Sequence, residues 1–398
     1  MPVRSHFILA LTAAAAACGG DPSATTDVPV QIEDSARVRI VAYPGTPSVE
    51  PVFRFAAEPR YRHGANPGDY AFQGVGIGRL LPDGRAVVED PWNSEVVVIG
   101  RDGAAYEVLA SQGEGPGDVI GVNAIFSLGQ DSILVTDSNL GRATLFVGGS
   151  VAGTTDIRSA IRLRVKGIGP AGGLLMATSL SDLELVGDWR RGHMARFDMV
   201  TGALDTVASY DSDPRTPAGM EWDPIRAVGE VTVAGGRFVY TRSDRAEVTW
   251  HRADGGVVQI MRWRAQPTLL AEESLGAIED ANRVLFRMQN PNTDPVRIEE
   301  AIRLHMANFR ASVGRPMPFF RSPFTDDEGR IWLPAYRPGV DETGVAPYTV
   351  IGAGGEWLGV VEAPPTFRIL DVAGGLVLGV EADEMDVESV AVYELVRG

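Results

Sequence analysis

Short apolar runs alternate with tight turns along most of this chain. Each run opens at a Gly-containing or Asp-Ser turn, as β-hairpins require. Several runs, such as AVV, ILV and LLM, are continuously apolar, which is typical of strands buried on both faces. Six segments share this form: DGRAVVED (83–90), DSILVTD (131–137), GGLLMATS (172–179), GGRFVYTR (235–242), EGRIWLPA (328–335) and GGLVLGVE (374–381).

Two of these segments belong to a longer internal repeat. Residues 63–90 read HGANPGDYAFQGVGIGRLLPDGRAVVED, and residues 112–137 read QGEGPGDVIGVNAIFSLGQDSILVTD. Each passes from a PGD motif through a β-rich stretch and a tight turn to an apolar strand ending in Asp. A repeat of about 40–50 residues built from short strands indicates a propeller. Six instances therefore predict an all-β, six-bladed β-propeller, with four strands per blade labelled A to D from the axis outward.

The C-terminal blade lacks an outer strand, because the chain ends after its third strand. The segment VFRFAAEPRY (52–61) precedes the first PGD motif, where an outer strand precedes the second. We therefore expect residues 52–58 to complete blade six, which closes the ring and removes an open sheet edge. Residues 37–43 (RVRIVAY) are expected to form a further edge strand or a strap, within a propeller domain spanning residues 37–398.

A helical segment interrupts the pattern at residues 266–315. Apolar residues recur there at helical spacing, which predicts a helical hairpin between blades four and five. Thr268 is the expected N-cap of the first helix, and Asp294 followed by Pro295 opens the second. As a D–A connection, the hairpin lies on the face of the disc that carries the B–C loops, here called the insertion face. It is either a packing or dimerisation element, or a lid over the central funnel.

The motif GEGPGD (113–118), the segment DSARVRIV (34–41) and the B strands that end in Asp carry a family resemblance. They resemble the NHL-type six-bladed propellers of uncharacterised bacterial lipoproteins, over roughly residues 34–398. The resemblance implies the fold. It implies no activity, because propellers act as enzymes, receptors and scaffolds alike.

The N-terminus has the pattern of an export signal. Residues 1–18 read MPVRSHFILALTAAAAAC, with Arg4 before an apolar stretch too short to span a bilayer. The stretch ends at Cys18, the only cysteine, directly after the small residues Ala15, Ala16 and Ala17. This resembles a bacterial lipobox, which implies lipidation of Cys18 and a membrane-anchored protein facing the periplasm or the cell exterior. A cleaved secretory signal is the alternative. The polar residues 19–36 are expected to be a flexible tether.

The net charge of the chain disfavours one class of binding partner. The net charge is −16, from 52 acidic and 36 basic residues, so a nucleic acid is not an expected partner. Lys166 is the only lysine, which we interpret as a coding bias towards arginine.

Candidate ligand-binding residues come from the ends of the B strands. Aligned, these ends place several polar residues around the mouth of the funnel on the insertion face, namely Asp90, Asp137, Ser179, Arg242, Tyr336 and Glu381. The carboxylates of Asp90, Asp137 and Glu381 are candidate Ca²⁺ ligands. The alternative is that each Asp caps turn amides in its own blade. The few histidines of the mature chain are scattered, which disfavours a zinc site.

Two functions remain open on the sequence alone. The first is a non-enzymatic binding or scaffold propeller of the cell envelope that presents one loop face to a peptide, glycan or protein. The second is a calcium-assisted hydrolase or lyase with its site in the central funnel. We find no nucleophile motif, so enzymatic activity is uncertain and less expected than binding.

Overall fold

The computed structural model describes residues 30–47, 53–129, 131–178, 184–220, 222–290, 293–338, 347–364, 367–383 and 387–397. Short strands begin the described chain. They are β1 (Gln31–Ser35), β2 (Val38–Tyr43), β3 (Phe53–Phe55) and β4 (Tyr61–His63).

Six sheets follow along the chain, each with its first strand innermost. Blade one contains β5 (Gly78–Leu80), β6 (Ala86–Asp90), β7 (Glu95–Ile99) and β8 (Tyr106–Ala110). Blade two contains β9 (Val122–Ser127), β10 (Ser132–Asp137), β11 (Arg142–Val147) and β12 (Ser150–Asp156). Blade three contains β13 (Leu163–Ile168), β14 (Leu174–Thr178), β15 (Leu185–Val186), β16 (Trp189–Phe197) and β17 (Leu204–Pro214).

The second half of the chain builds the other three sheets. Blade four contains β18 (Gly229–Ala234), β19 (Arg237–Arg242), β20 (Glu247–His251) and β21 (Val257–Trp263). Blade five contains β22 (Phe324–Thr325), β23 (Ile331–Pro334), β24 (Tyr348–Ile351) and β25 (Trp357–Val361). Blade six contains β26 (Phe367–Ala373), β27 (Leu376–Ala382) and β28 (Glu388–Arg397). The predicted six-bladed propeller is confirmed.

The core is divided among the junctions between blades. One buried apolar cluster lies at each of the six junctions, including the junction between blades six and one. Strand β10 shows why its run ILV is continuous: Ile133 and Val135 face blade one, while Leu134 faces blade three. Because second strands such as β6, β10 and β14 are buried on both faces, they lose the period-two alternation of apolar and polar residues.

The strands of the N-terminal segment pair with the outer edges of blades four and six. Strand β3 pairs with β28 through Phe53 and Arg397, at the position expected for the closing strand, and β4 pairs with the same strand. Strand β2 is parallel to β21, so it extends blade four at its outer edge. Strand β1 pairs in turn with β2. The predicted tether is therefore wrong for residues 31–35, because a turn at Ala36 and Arg37 returns that backbone as a sixth strand.

The helical hairpin consists of α1 (Leu275–Gln289) and α2 (Pro295–Ala311). Asp294 caps α2 by accepting a hydrogen bond from the amide of Val296 at 2.7 Å. Thr268 does not cap α1: its carbonyl accepts from the amide of Met317 at 2.9 Å, within an extended pairing that closes the base of the hairpin. A short 3₁₀ turn at Glu272–Ser274 precedes α1 instead.

Candidate functional site

Asp90 and Asp137 are buried and satisfied within their own blades. Both oxygens of Asp137 accept backbone amides, from Ile120 and Gly121 at 2.7 and 2.9 Å and from Asn139 and Leu140 at 2.8 Å each. Asp90 likewise accepts three backbone amides, the Asn93 side chain and a tyrosine hydroxyl. The capping alternative thus describes both residues, and the prediction that they offer free ligand oxygens is corrected.

The other predicted ring residues are also engaged away from a common centre. Glu381 accepts from the Arg62 guanidinium at 2.6 Å and from the Tyr393 hydroxyl, on the outer part of blade six. Arg242 pairs with Asp211 and Asp244 and stacks over the Trp189 ring at 4.2 Å.

Tyr336 belongs to the apolar core under the hairpin, and its hydroxyl donates to the carbonyl of Pro224 at 3.0 Å. Ser179 lies outside the described residues. The predicted ring therefore does not form a site among the residues that the structure describes.

No group of three or more His, Cys, Asp or Glu side chains in the described ranges could hold a metal ion. The proposed calcium ligands Asp90, Asp137 and Glu381 have their oxygens committed to amides, arginine and tyrosine, as shown above. Alignment of the repeats places these carboxylates at equivalent strand ends, but it does not show which hydrogen-bond donors they accept from.

The hairpin is docked firmly on the insertion face. Its core includes Ile278, Ile302 and Phe309, which pack on the connection before blade four. Arg315 anchors the base through two hydrogen bonds to the buried Asp223 carboxylate, at 2.7 and 3.0 Å. Such a contact fixes the position of the hairpin, since a buried carboxylate left unpaired is strongly destabilising.

The opposite face, which carries the A–B turns and is here called the turn face, contains an axial cavity of about 580 Å³. This volume lies within the range of about 300–1,000 Å³ typical of small-molecule sites. The inner strands and A–B turns of all six blades line it, one residue from each blade being Arg79, Phe126, Lys166, Val233, Thr325 and Asp371.

The acidic groups of the cavity are tied to its wall. Asp371 accepts the amide of Leu80 at 2.8 Å and so links blades six and one, while burial raises the pKa of its carboxyl. Asp327 accepts the amide of Gly374 at 2.9 Å and links blades five and six. Asp326 accepts from Arg330 and Trp332 within blade five. Asp371 and Asp327 thus link neighbouring blades, and Asp326 stabilises blade five.

Lys166 lies in the cavity wall on β13, half-buried. Within the described part of the chain, its ammonium makes no hydrogen bond and no ion pair within 4.0 Å. Burial lowers its pKa, because desolvation disfavours the charged form, and the electrostatic effect of Glu230 opposes this. Glu230 itself accepts the amide of Ser322 at 2.8 Å.

Arg79 is the second cation of the cavity. Its Nη1 donates to the carbonyls of Gly78 and Leu370, and the same nitrogen lies 3.9 Å from the Asp371 carboxylate. Nε and Nη2 of Arg79 have no partner among the residues described, so they remain available to a ligand. Neither residue is among the site residues predicted from the sequence. The one signal for Lys166 is that it is the only lysine of the chain, which we interpret above as a coding bias.

No protein-family model matches the chain, and no curated protein matches it. Membership of the NHL-type group therefore stays a prediction. No helix in the described ranges is long and apolar enough to cross a membrane.

Solved structures similar to this chain include three bacterial proteins. A candidate exported protein from Bacteroides fragilis is 10% identical, with 90% of this chain and 99% of that chain covered and a TM-score of 0.48. A member of the DUF4221 family from Bacteroides vulgatus is 10% identical, over 87% and 99%, with a TM-score of 0.47. The calcium-binding protein regucalcin from Agrobacterium tumefaciens is 10% identical, over 90% and 96%, with a TM-score of 0.40. Likeness at this level has no bearing on activity.

Proposed function

We propose that the protein is a binding propeller of the cell envelope whose axial cavity holds a small ligand with an anionic group. One observation carries this proposal: the half-buried Lys166 ammonium lines a ligand-sized cavity without a hydrogen-bonding partner in the described chain. A partly buried cation without such a partner is unfavourable, and an anion placed against it offsets the lost hydration.

The distribution of free hydrogen-bonding groups supports an anion over a cation. The cavity contains carboxylates and cations, and each carboxylate has at least one oxygen that accepts from an amide, an arginine or a tryptophan of the wall, as described above. The hydrogen-bond donors left over are the Lys166 ammonium and two guanidinium nitrogens of Arg79. A ligand carboxylate or phosphate would find charge-assisted donors there, which are stronger than neutral ones.

This proposal moves the site from the insertion face to the turn face. The described residues nominated on the insertion face (Asp90, Asp137, Arg242, Tyr336 and Glu381) have hydrogen-bonding partners within the protein, so they do not support a peptide, glycan or protein site there. The candidate ligands of a calcium-assisted hydrolase or lyase have the same partners, which does not support that alternative.

Binding can be tested with small anions of known charge. We would titrate acetate, malonate, phosphate and sulfate into the purified protein by calorimetry, and follow the melting temperature in parallel. A ligand that binds only the folded state raises the melting temperature, and added salt weakens an electrostatic contact. At least one of these anions is expected to bind.

Variants of Lys166 decide whether the cavity is responsible. Lys166→Met should weaken binding roughly 10- to 150-fold, the equivalent of one charged hydrogen bond. Lys166→Arg keeps the charge and should retain most of the affinity. The matched control is Arg252→Met, which removes a cation from an exposed ion pair with Asp254 in blade four, outside the cavity. Unchanged binding in Lys166→Met, or no binding of any anion to the wild type, would overturn the proposal.

The envelope location rests on the N-terminal sequence and has its own test. We propose that Cys18 is lipidated and anchors the protein to a membrane. Cys18→Ser should move the protein from the detergent phase to the aqueous phase, and mass spectrometry of the N-terminal peptide should find the acyl groups in the wild type. A wild-type N-terminus cleaved near Ala17 without lipid would show ordinary secretion instead.

A further inference from the structure

The axial cavity contains the one lysine amine of the chain. Thirty-six residues are Lys or Arg, and Lys166 alone among them is a primary amine. It lies on the innermost strand of blade three, where it faces a cavity rather than bulk solvent. An arginine at this position would bind an anion equally well, so the amine offers chemistry that simple charge pairing does not require.

We infer that Lys166 is a nucleophile that captures a small carbonyl compound bearing a carboxylate, such as an oxo acid, as a reversible imine. This inference rests on the proposed function, because the same cavity and the same anionic group are involved. It goes further by naming the class of ligand and the bond that forms.

The surroundings of the amine favour its neutral, reactive form. Desolvation is the largest influence and lowers the pKa of Lys166; the positive charge of Arg164 acts in the same direction, and the negative charge of Glu230 opposes both. Lysines that act as Schiff-base nucleophiles are activated in this way, by partial burial next to another cation. An amine already held in a hydrogen bond would first have to break it, and Lys166 has none within the described ranges.

The reaction balances without an oxidant, a reductant or a metal. The nitrogen lone pair adds to the carbonyl carbon, so a C–N bond forms and the C=O π pair moves to oxygen. A proton passes through solvent from nitrogen to that oxygen, which gives a carbinolamine. Protonation of its hydroxyl releases water and leaves the iminium, and hydrolysis reverses the sequence. The free nitrogens of Arg79 can hold the carboxylate meanwhile, since a guanidinium matches carboxylate geometry.

The presence of a single lysine makes the test unambiguous. The protein is incubated with glyoxylate and cyanoborohydride, and the reduced adduct is located by intact mass and peptide mapping. Mapping also separates any adduct on the N-terminal α-amine, the only other primary amine of unlipidated protein. We expect one carboxymethyl group on Lys166, formed faster than on free Nα-acetyllysine, because the neutral fraction of an amine rises about tenfold for each unit of pKa lowering. Acetate, which has no aldehyde or ketone carbonyl to attack, should compete.

Two variants and three outcomes separate this inference from the proposed function. Lys166→Arg should still bind acetate yet give no adduct in the domain, and Arg79→Met should slow trapping by glyoxylate more than trapping by formaldehyde, which has no carboxylate. Acetate binding by the wild type without an adduct overturns the imine and leaves the proposed function standing. Neither binding nor an adduct overturns both. An adduct that forms no faster than on acetyllysine, and that acetate does not slow, shows only an accessible lysine and refutes the inference.

Discussion

Replacement of Asp137 by Asn tests whether this carboxylate is part of the blade or part of a metal site. The carboxylate accepts four amides, from Ile120, Gly121, Asn139 and Leu140, and the residue is 2% exposed. The Asn side chain has one acceptor oxygen, so two amides lose their partner and face an NH₂ group. Each buried donor left unpaired costs about 1–3 kcal/mol. The free energy of unfolding should therefore fall by about 2–6 kcal/mol.

The matched control lies at the other end of the same hairpin strand. Asp131 forms an ion pair with Arg85 at 2.7 Å, and its side chain is 63% exposed. An exposed pair of this kind contributes about 0–1 kcal/mol, so Asp131→Asn removes the same charge with little effect. Both variants would be unfolded in urea and followed by tryptophan fluorescence and far-UV circular dichroism, with calcium and with a chelator.

Two results would refute this reasoning. The first is equal stability of the two variants, which would mean that the amide contacts of Asp137 contribute nothing beyond its charge. The second is a calcium-dependent increase in wild-type stability that Asp137→Asn abolishes, which would show that the residue is a metal ligand after all. We expect neither calcium nor chelator to move the unfolding midpoint.

Three further predictions concern packing and pH. Gly229→Ala should abolish soluble expression, because its Cβ would overlap the carbonyl oxygen of Asp211 on β17. Gly276→Ala, which has open space around it on α1, should instead stabilise the protein by about 0.5–1 kcal/mol in urea unfolding. Phe53→Ala should lower the free energy of unfolding by about 3–5 kcal/mol, since this 5%-exposed ring fills the junction between blades five and six. Burial lowers the pKa of His305, which packs on Trp222, so the folded state binds fewer protons than the unfolded state. The stability that is present above pH 6.5 should therefore be lost as the pH falls below that value. His305→Phe should make the free energy of unfolding less dependent on pH in this range. A pH profile unchanged in His305→Phe would contradict this assignment.

The repeat was visible in the sequence because each blade solves the same packing problem. A tight turn and a strand buried on both faces must recur in every blade. The segment DSILVTD shows both, since Asp-Ser forms the turn and the apolar run ILV forms the buried strand. The helical hairpin was equally visible, since its apolar spacing differs from that of the strands around it. Asp294 and Pro295 identified the start of α2 for the same reason: capping is a local interaction.

Long-range pairing was less visible. Residues 31–35 are polar and resemble a linker, yet they form β1 because the backbone of β2 offers an open edge that their composition does not reveal. Thr268 has the right chemistry for a cap, but its backbone is already paired with residue 317 across the hairpin base.

The candidate site could not be predicted because it depends on which side chains remain without partners. Asp90 and Asp137 look like ligands in an alignment, and only the fold shows the amides that occupy them. Lys166 looks unremarkable on its strand, and only the fold shows the cavity beside it. The residue type shows which hydrogen bonds or reactions a side chain can take part in. The surrounding fold decides whether the side chain is already bonded within the protein or is available to a ligand.

The pairing of β3 with β28 imposes an order on biosynthesis. The residues of β3 leave the ribosome long before those of β28, because Phe53 and Arg397 pair across the whole length of the propeller. The two strands must pair before the junction between blades five and six is shielded from water, so nascent intermediates expose apolar sheet edges throughout elongation. Contacts this distant in sequence form slowly, and such intermediates are prone to aggregate. Chaperones that shield open edges should therefore limit its yield more than they limit that of a propeller closed within one blade.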